Sequence, residues 1–118
     1  LGQAIAPRPA PPNPPSTYYR NTRETIWLPE HRTIMLSSTP DGLGEVAVDD
    51  AVQLFVSGNL VFEFDFSQEC TSPILPQAPF DITENLRDYV NGFHDIEIAY
   101  RDLCGNQVHA TNFYLVFR

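Results

Sequence analysis

Two cysteines, Cys70 and Cys104, are the residues with the clearest chemistry to offer. A single pair in an acidic, lysine-free chain points to one disulfide in an exported protein. Each follows an expected strand, and closing a loop of about 35 residues would stabilise the fold by roughly 3–4 kcal/mol. The competing reading is two buried free thiols, because the spacing fits no zinc motif. Four carboxylates, Asp41, Glu45, Asp49 and Asp50, lie close together and offer the hard oxygen ligands that Ca²⁺ takes. The alternative for them is a solvated acidic turn, and no other cofactor is implied. Catalysis has little to work with. His31, His94 and His109 are scattered, and the chain has no G-x-S-x-G elbow, H-E-x-x-H pair or glycine-rich phosphate loop. The chain reads as a non-enzyme. Tyr18, Tyr19, Trp27 and Tyr89 stand outside the alternating apolar pattern, where they can stack on sugar rings or cover the rim of a core.

The elements that must hold these residues belong to one domain and an arm. The chain has 118 residues and is 42% hydrophobic, enough to bury one core. Its basic residues are 7 arginines against 15 acidic residues, a net charge of −8. That balance excludes nucleic acid and anionic membrane surfaces as partners, since each demands a basic face. No apolar run is long enough to span a bilayer as a helix.

Residues 1–17 read as the arm and residues 18–118 as the folded domain. Six of the 11 prolines, Pro7, Pro9, Pro11, Pro12, Pro14 and Pro15, crowd the arm. Proline removes a backbone donor and fixes φ, so the stretch is expected to be extended polyproline II. Residues 1–15 would then reach roughly 45 Å at that rise per residue. Leu1, Ala4, Ile5 and Ala6 make one end of the arm apolar and suit it to a groove.

From Thr22 onward the pattern is that of short strands. Residues 22–28, 32–37 and 44–48 are candidates, with turn chemistry at 38–44 around Pro40-Asp41-Gly42. Residues 51–57 and 60–66 form the clearest hairpin, its loop expected at Gly58-Asn59 as a type II′ turn. On the second arm Phe62, Phe64 and Phe66 share one face and are expected to be buried, with Val61, Glu63 and Asp65 on the other. A helical turn is expected over 84–90, capped by Asp81 or Thr83 and ended by Asn91-Gly92. Residues 93–103 alternate again, and residues 107–117 close the fold with Phe113, Leu115 and Phe117 aligned. This spacing predicts an all-β antiparallel sandwich, a jelly roll with one short helical turn.

Three segments resemble a known family. Val48-Asp49-Asp50 leading into Val52-Gln53-Leu54-Phe55-Val56-Ser57-Gly58-Asn59-Leu60-Val61, then Phe80-Asp81-Ile82-Thr83-Glu84-Asn85-Leu86, then Asn91-Gly92-Phe93-His94-Asp95-Ile96-Glu97-Ile98 are similar to elements of galactose-binding-like jelly rolls. Such domains occur in extracellular carbohydrate-binding and surface proteins. The resemblance covers about residues 45–118, with His94 where the family carries Asn, and it implies the sandwich, often with a structural calcium.

The functional expectation is an extracellular or cell-surface structural subunit, its leader already removed. It would assemble head to tail into a filament or appendage by docking its arm on a neighbouring copy, so its partner is itself. The rival expectation is a non-catalytic carbohydrate-binding module whose partners are glycans and whose Pro-rich segment is a linker.

Overall fold

The computed structural model describes residues 17–20, 23–49, 51–66, 75–101, 109–110 and 112–118. Strands β1 (Thr17–Arg20), β10 (Phe113–Phe117), β3 (Ile34–Ser37) and β7 (Phe80–Asp81) form one antiparallel sheet in that order. Strands β2 (Glu24–Leu28), β8 (Gly92–Arg101), β5 (Ala51–Val56) and β6 (Asn59–Asp65) form the second. A small ribbon pairs β4 (Val48–Asp49) with β9 (His109–Ala110). The all-β sandwich expected from the spacing is therefore the fold.

Period-two alternation explains why the sheets pack. Val52, Leu54 and Val56 of β5 face Ile96 and Ile98 of β8 across one layer, while Ile34, Leu36, Phe113, Leu115 and Phe117 face back from the other. All belong to one contiguous buried cluster, which Ile82 and Leu86 close at one end. Each side chain of this size contributes about 1.5–3 kcal/mol on burial, so the paired faces dominate the stability.

The differences from the sequence expectations have local causes. β1 begins at Thr17, which pairs with Val116. The strands expected over 22–28 and 32–37 enter different sheets, because Pro29 and the turn after it carry the chain from one layer to the other. Of the strand expected over 44–48, only a bridge from Val46 to Gln77 and the start of β4 form. The closing strand over 107–117 is broken into β9 and β10.

The hairpin turn sits one residue earlier than expected. Val56 pairs with Asn59, leaving Ser57-Gly58 as the loop. Both residues have positive φ, 50° and 83°, which is a type I′ turn rather than II′ and matches the twist of the flanking strands. The Phe face is also less buried than the alternation suggested. Phe66 is buried, but Phe62 and Phe64 are half-buried because β6 is the outermost strand of its sheet among the described residues. Glu63 and Asp65 are exposed, as expected.

The helical turn is a 3-10 helix, Glu84–Tyr89, with Thr83 at its N-cap position and no side-chain cap. Asp81 acts one step earlier: its carboxylate accepts the Thr83 N–H at 3.0 Å and the Thr83 O–H at 2.6 Å. The Thr83 hydroxyl in turn accepts the Ile34 N–H at 2.9 Å, which ties the helix to β3. Asn91, at φ 64°, ends the segment, as its neighbouring Gly92 had suggested.

Burial separates two phenylalanines by energy. Phe113→Ala, at a fully buried site, is expected to lower unfolding free energy by about 3–5 kcal/mol. Phe64→Ala is expected to cost less than half of that, because water already reaches its ring. Urea unfolding of both variants checks the ranking, and equal losses would contradict the described burial.

Candidate functional site

Three places bring polar or aromatic chemistry together. The first is an open cavity of about 400 Å³ between the β2–β3 turn and the 3-10 helix, lined by Glu30, His31, Arg32, Thr33, Thr83, Glu84, Arg87 and Val90. Its charged groups are already committed. Arg32 donates through Nε to the Arg118 carbonyl at 3.0 Å and through Nη2 to the Phe117 carbonyl at 3.2 Å. Arg87 lies 3.5 Å from Glu84 and 3.7 Å from Asp88, and His31 lies 3.7 Å from Glu30. These contacts fasten the end of β10 and the helix, and they leave the cavity balanced in charge.

The second place is the junction of the hairpin turn with β8. Ser57 Oγ sits 2.7 Å from His94 Nδ1, and the Ser57 N–H donates to the Asp95 carbonyl at 2.8 Å. The His94 ring packs edge-on with Tyr89, their centroids 5.3 Å apart. A serine beside an imidazole is the start of a nucleophile–base pair, but a triad also needs a group that orients the second ring nitrogen. What occupies His94's flank is an aromatic ring. The contact joins the hairpin turn to β8. Sequence reasoning missed it, since Ser57 and His94 are far apart in the chain and meet only through strand pairing.

The third is an aromatic seam. β6 and β7 are the outermost strands of their two sheets among the described residues, and they lie on the same side of the sandwich. There Phe80 meets Phe62 at 5.0 Å, Phe64 at 4.9 Å and Phe66 at 6.1 Å between centroids, and Phe64 meets Phe66 at 4.9 Å. Tilted and edge-on packing of this kind adds about 0.5–1.5 kcal/mol per pair beyond burial. Phe62, Phe64 and Phe80 remain half-buried, so the seam reaches the surface. The Asn85 side chain donates to the Val61 carbonyl at 3.0 Å and ties the helix to one end of it.

The residues singled out from sequence are distributed as follows. Trp27 lies on β2 and packs edge-on against Phe93 at 5.1 Å, while Tyr89 lies on the helix against His94. Tyr18 and Tyr19 lie on β1, at the far edge of the other sheet. The four candidates for glycan contact thus come from three separate elements, and Trp27 and Tyr89 each spend a ring edge or face on an internal neighbour. Asp41 belongs to a turn in which its carboxylate accepts from the Thr39 hydroxyl and from the Leu43 N–H at 2.9 Å, and to which Arg118 donates through Nη2 at the Gly42 carbonyl, 3.2 Å. Ser37, fully buried, accepts the N–H groups of Thr39 and Gly44, each at 3.1 Å, and closes the same turn. Glu45 is exposed. Among the described residues no three His, Cys, Asp or Glu side chains converge as a metal site would require. The Asp49 side chain, Asp50, both cysteines of the expected disulfide (Cys70 and Cys104) and the whole arm from Leu1 to Pro15 lie outside the described residues. Also among the described residues, no helix is long and apolar enough to cross a membrane.

Comparison with protein-family models, with curated proteins and with solved structures found no match to this chain.

Two turn carboxylates give the fold an acid limit. The Thr39 hydroxyl, then the Leu43 N–H, hold the Asp41 carboxyl below its usual range, and the Thr83 hydroxyl, then the Thr83 N–H, do the same for Asp81. A carboxyl depressed in the folded state contributes stability above its unfolded value, about 3.9, and loses it as pH falls through the folded value. The melting temperature is therefore expected to fall as pH drops below the unfolded carboxylate value of about 3.9. An Asp41→Asn, Asp81→Asn double variant is expected to show a shallower acid limb. Identical slopes in thermal melts would show that these carboxylates do not set it.

Proposed function

We propose that this chain is a non-catalytic structural subunit that joins copies of itself through its N-terminal arm. The observation that carries the reading is where the arm enters the fold. The described core is supplied by residues from Ile26 to Phe117, and the chain comes into the sandwich through β1, the outermost strand of its sheet. Residues 1–16 therefore attach at the perimeter of a domain whose described core is built downstream of them. Proline lowers the cost of ordering such an arm, because it is extended and restricted before it docks. A contact between an arm on one copy and a groove on the next is heterologous, so it propagates into a ring or an open fibre instead of stopping at a dimer. Export to the cell surface, the Cys70–Cys104 disulfide and the likeness to galactose-binding-like jelly rolls belong to the same proposal, and they rest on the sequence.

Charge favours this mode over face-to-face association. Arg8 is the one charged side chain in residues 1–16, while residues 17–118 hold the other six arginines against all fifteen acidic residues. Two bodies of the same sign repel, and an arm of opposite sign does not. Apolar and backbone contacts of the arm supply the affinity.

Removing residues 1–15 is expected to leave the sandwich folded and to abolish large assemblies in sedimentation and negative-stain imaging. Assemblies of the full chain are expected to persist in 1 M salt, where the Debye length is about 3 Å. Equal sedimentation of both forms across a wide concentration range would refute the proposal.

A further inference from the structure

We infer that Ser57 is an acylation site: its hydroxyl, with His94 as base, takes the acyl group of a small activated ester and keeps it. The site is independent of how copies assemble. Ser57 Oγ lies 2.7 Å from His94 Nδ1. In the Nε2–H tautomer that nitrogen accepts the hydroxyl proton, which is the geometry of a nucleophile and its base. The backbone at Ser57 is a second, separate sign. A type I′ turn favours Asn, Asp or Gly at its first central position, because an L side chain at positive φ crowds the following carbonyl. Ser57 stands there at φ 50°, held by its N–H bond to the Asp95 carbonyl at 2.8 Å and by the imidazole. Residues kept in such a sparsely populated conformation cluster at functional sites.

Access and charge define the donor. Ser57 and Gly58 are exposed, and nothing lies within 4 Å of where a side chain at Gly58 would begin, so an ester can reach the hydroxyl. The imidazole is confined: Tyr89 packs edge-on to it, and a Cβ at Gly92 would lie 3.3 Å from its Nε2. The chain's 15 acidic residues against 7 basic ones repel anionic esters, so the donor is uncharged. Ser57 Oγ bonds to the ester's carbonyl carbon while Nδ1 takes its proton. The bond from that carbon to the leaving alcohol's oxygen then breaks, and the proton passes from Nδ1 to that oxygen. The products are an O-acyl serine and a free alcohol. Turnover calls for a partner that stabilises the imidazolium, as the aspartate of a triad does. His94 has the Tyr89 ring at its flank instead, so the ester persists and the chain remains a non-enzyme.

Acetylation of the full chain by p-nitrophenyl acetate tests this, with the modified peptide located by tandem mass spectrometry. Ser57 in the folded chain is expected to be acetylated at least about a hundredfold faster than Ser57 in the urea-unfolded chain, the gain a positioned base supplies. His94→Phe keeps an aromatic ring against Tyr89 and is expected to melt near the parent while losing that gain. Ser57→Asn, the residue such a turn favours, is expected to melt at or above the parent and to take no acetyl group at this position. The ester is expected to outlast removal of the reagent, and its prompt hydrolysis would overturn retention. Equal labelling of Ser57 in folded and unfolded chains would overturn the site. Undiminished labelling in a folded His94→Phe variant would overturn the role of His94, and with it the proposal.

Discussion

The structure depends on one contact above the others, the burial of the β5–β8 face against the β10–β3 face. β5 and β8 pair over six residues, from Ala51 with Arg101 to Val56 with Ile96, and this register points Val52, Leu54, Val56, Ile96 and Ile98 to one side. A slip of one residue in either strand would turn that strand's set away from the core. The opposing layer is fixed the same way, by β10 pairing with β3 from Tyr114–Ser37 to Phe117–Ile34. Once these two faces meet, the remaining strands are placed at the edges.

The sandwich was legible because alternation is a local signal. Phe62-Glu63-Phe64-Asp65 and Ile96-Glu97-Ile98 declare both strand and face without any distant partner. What was not legible depended on contacts between distant residues. The half-burial of Phe64 follows from β6 being outermost in its sheet, a matter of strand order. The shift of the turn to Ser57-Gly58 follows from the pairing register, which lets Ser57 reach His94 across β8. Asp41 was read as a metal ligand or turn residue from its type alone, and the hydroxyl of Thr39 two residues earlier engages it in the turn. The seam escaped notice because Phe80 joins Phe62, Phe64 and Phe66 only when two sheets meet.

The cavity beneath the β2–β3 turn is lined by Arg32 and Arg87 together with Glu30 and Glu84, and the Ser57–His94 contact joins the hairpin turn to β8. The β6–β7 side keeps half-buried aromatic surface instead, while the opposite edge of the sandwich is where the proline-rich segment joins.

Competition with the free arm tests that account most directly. A synthetic peptide of residues 1–16, added in excess to the assembled full chain, should occupy the grooves and cap each copy. The account predicts that mean assembly size by light scattering falls progressively with peptide concentration, while a peptide carrying Ile5→Asp has no such effect. Assembly size that stays constant as the native peptide rises to a large molar excess would contradict it.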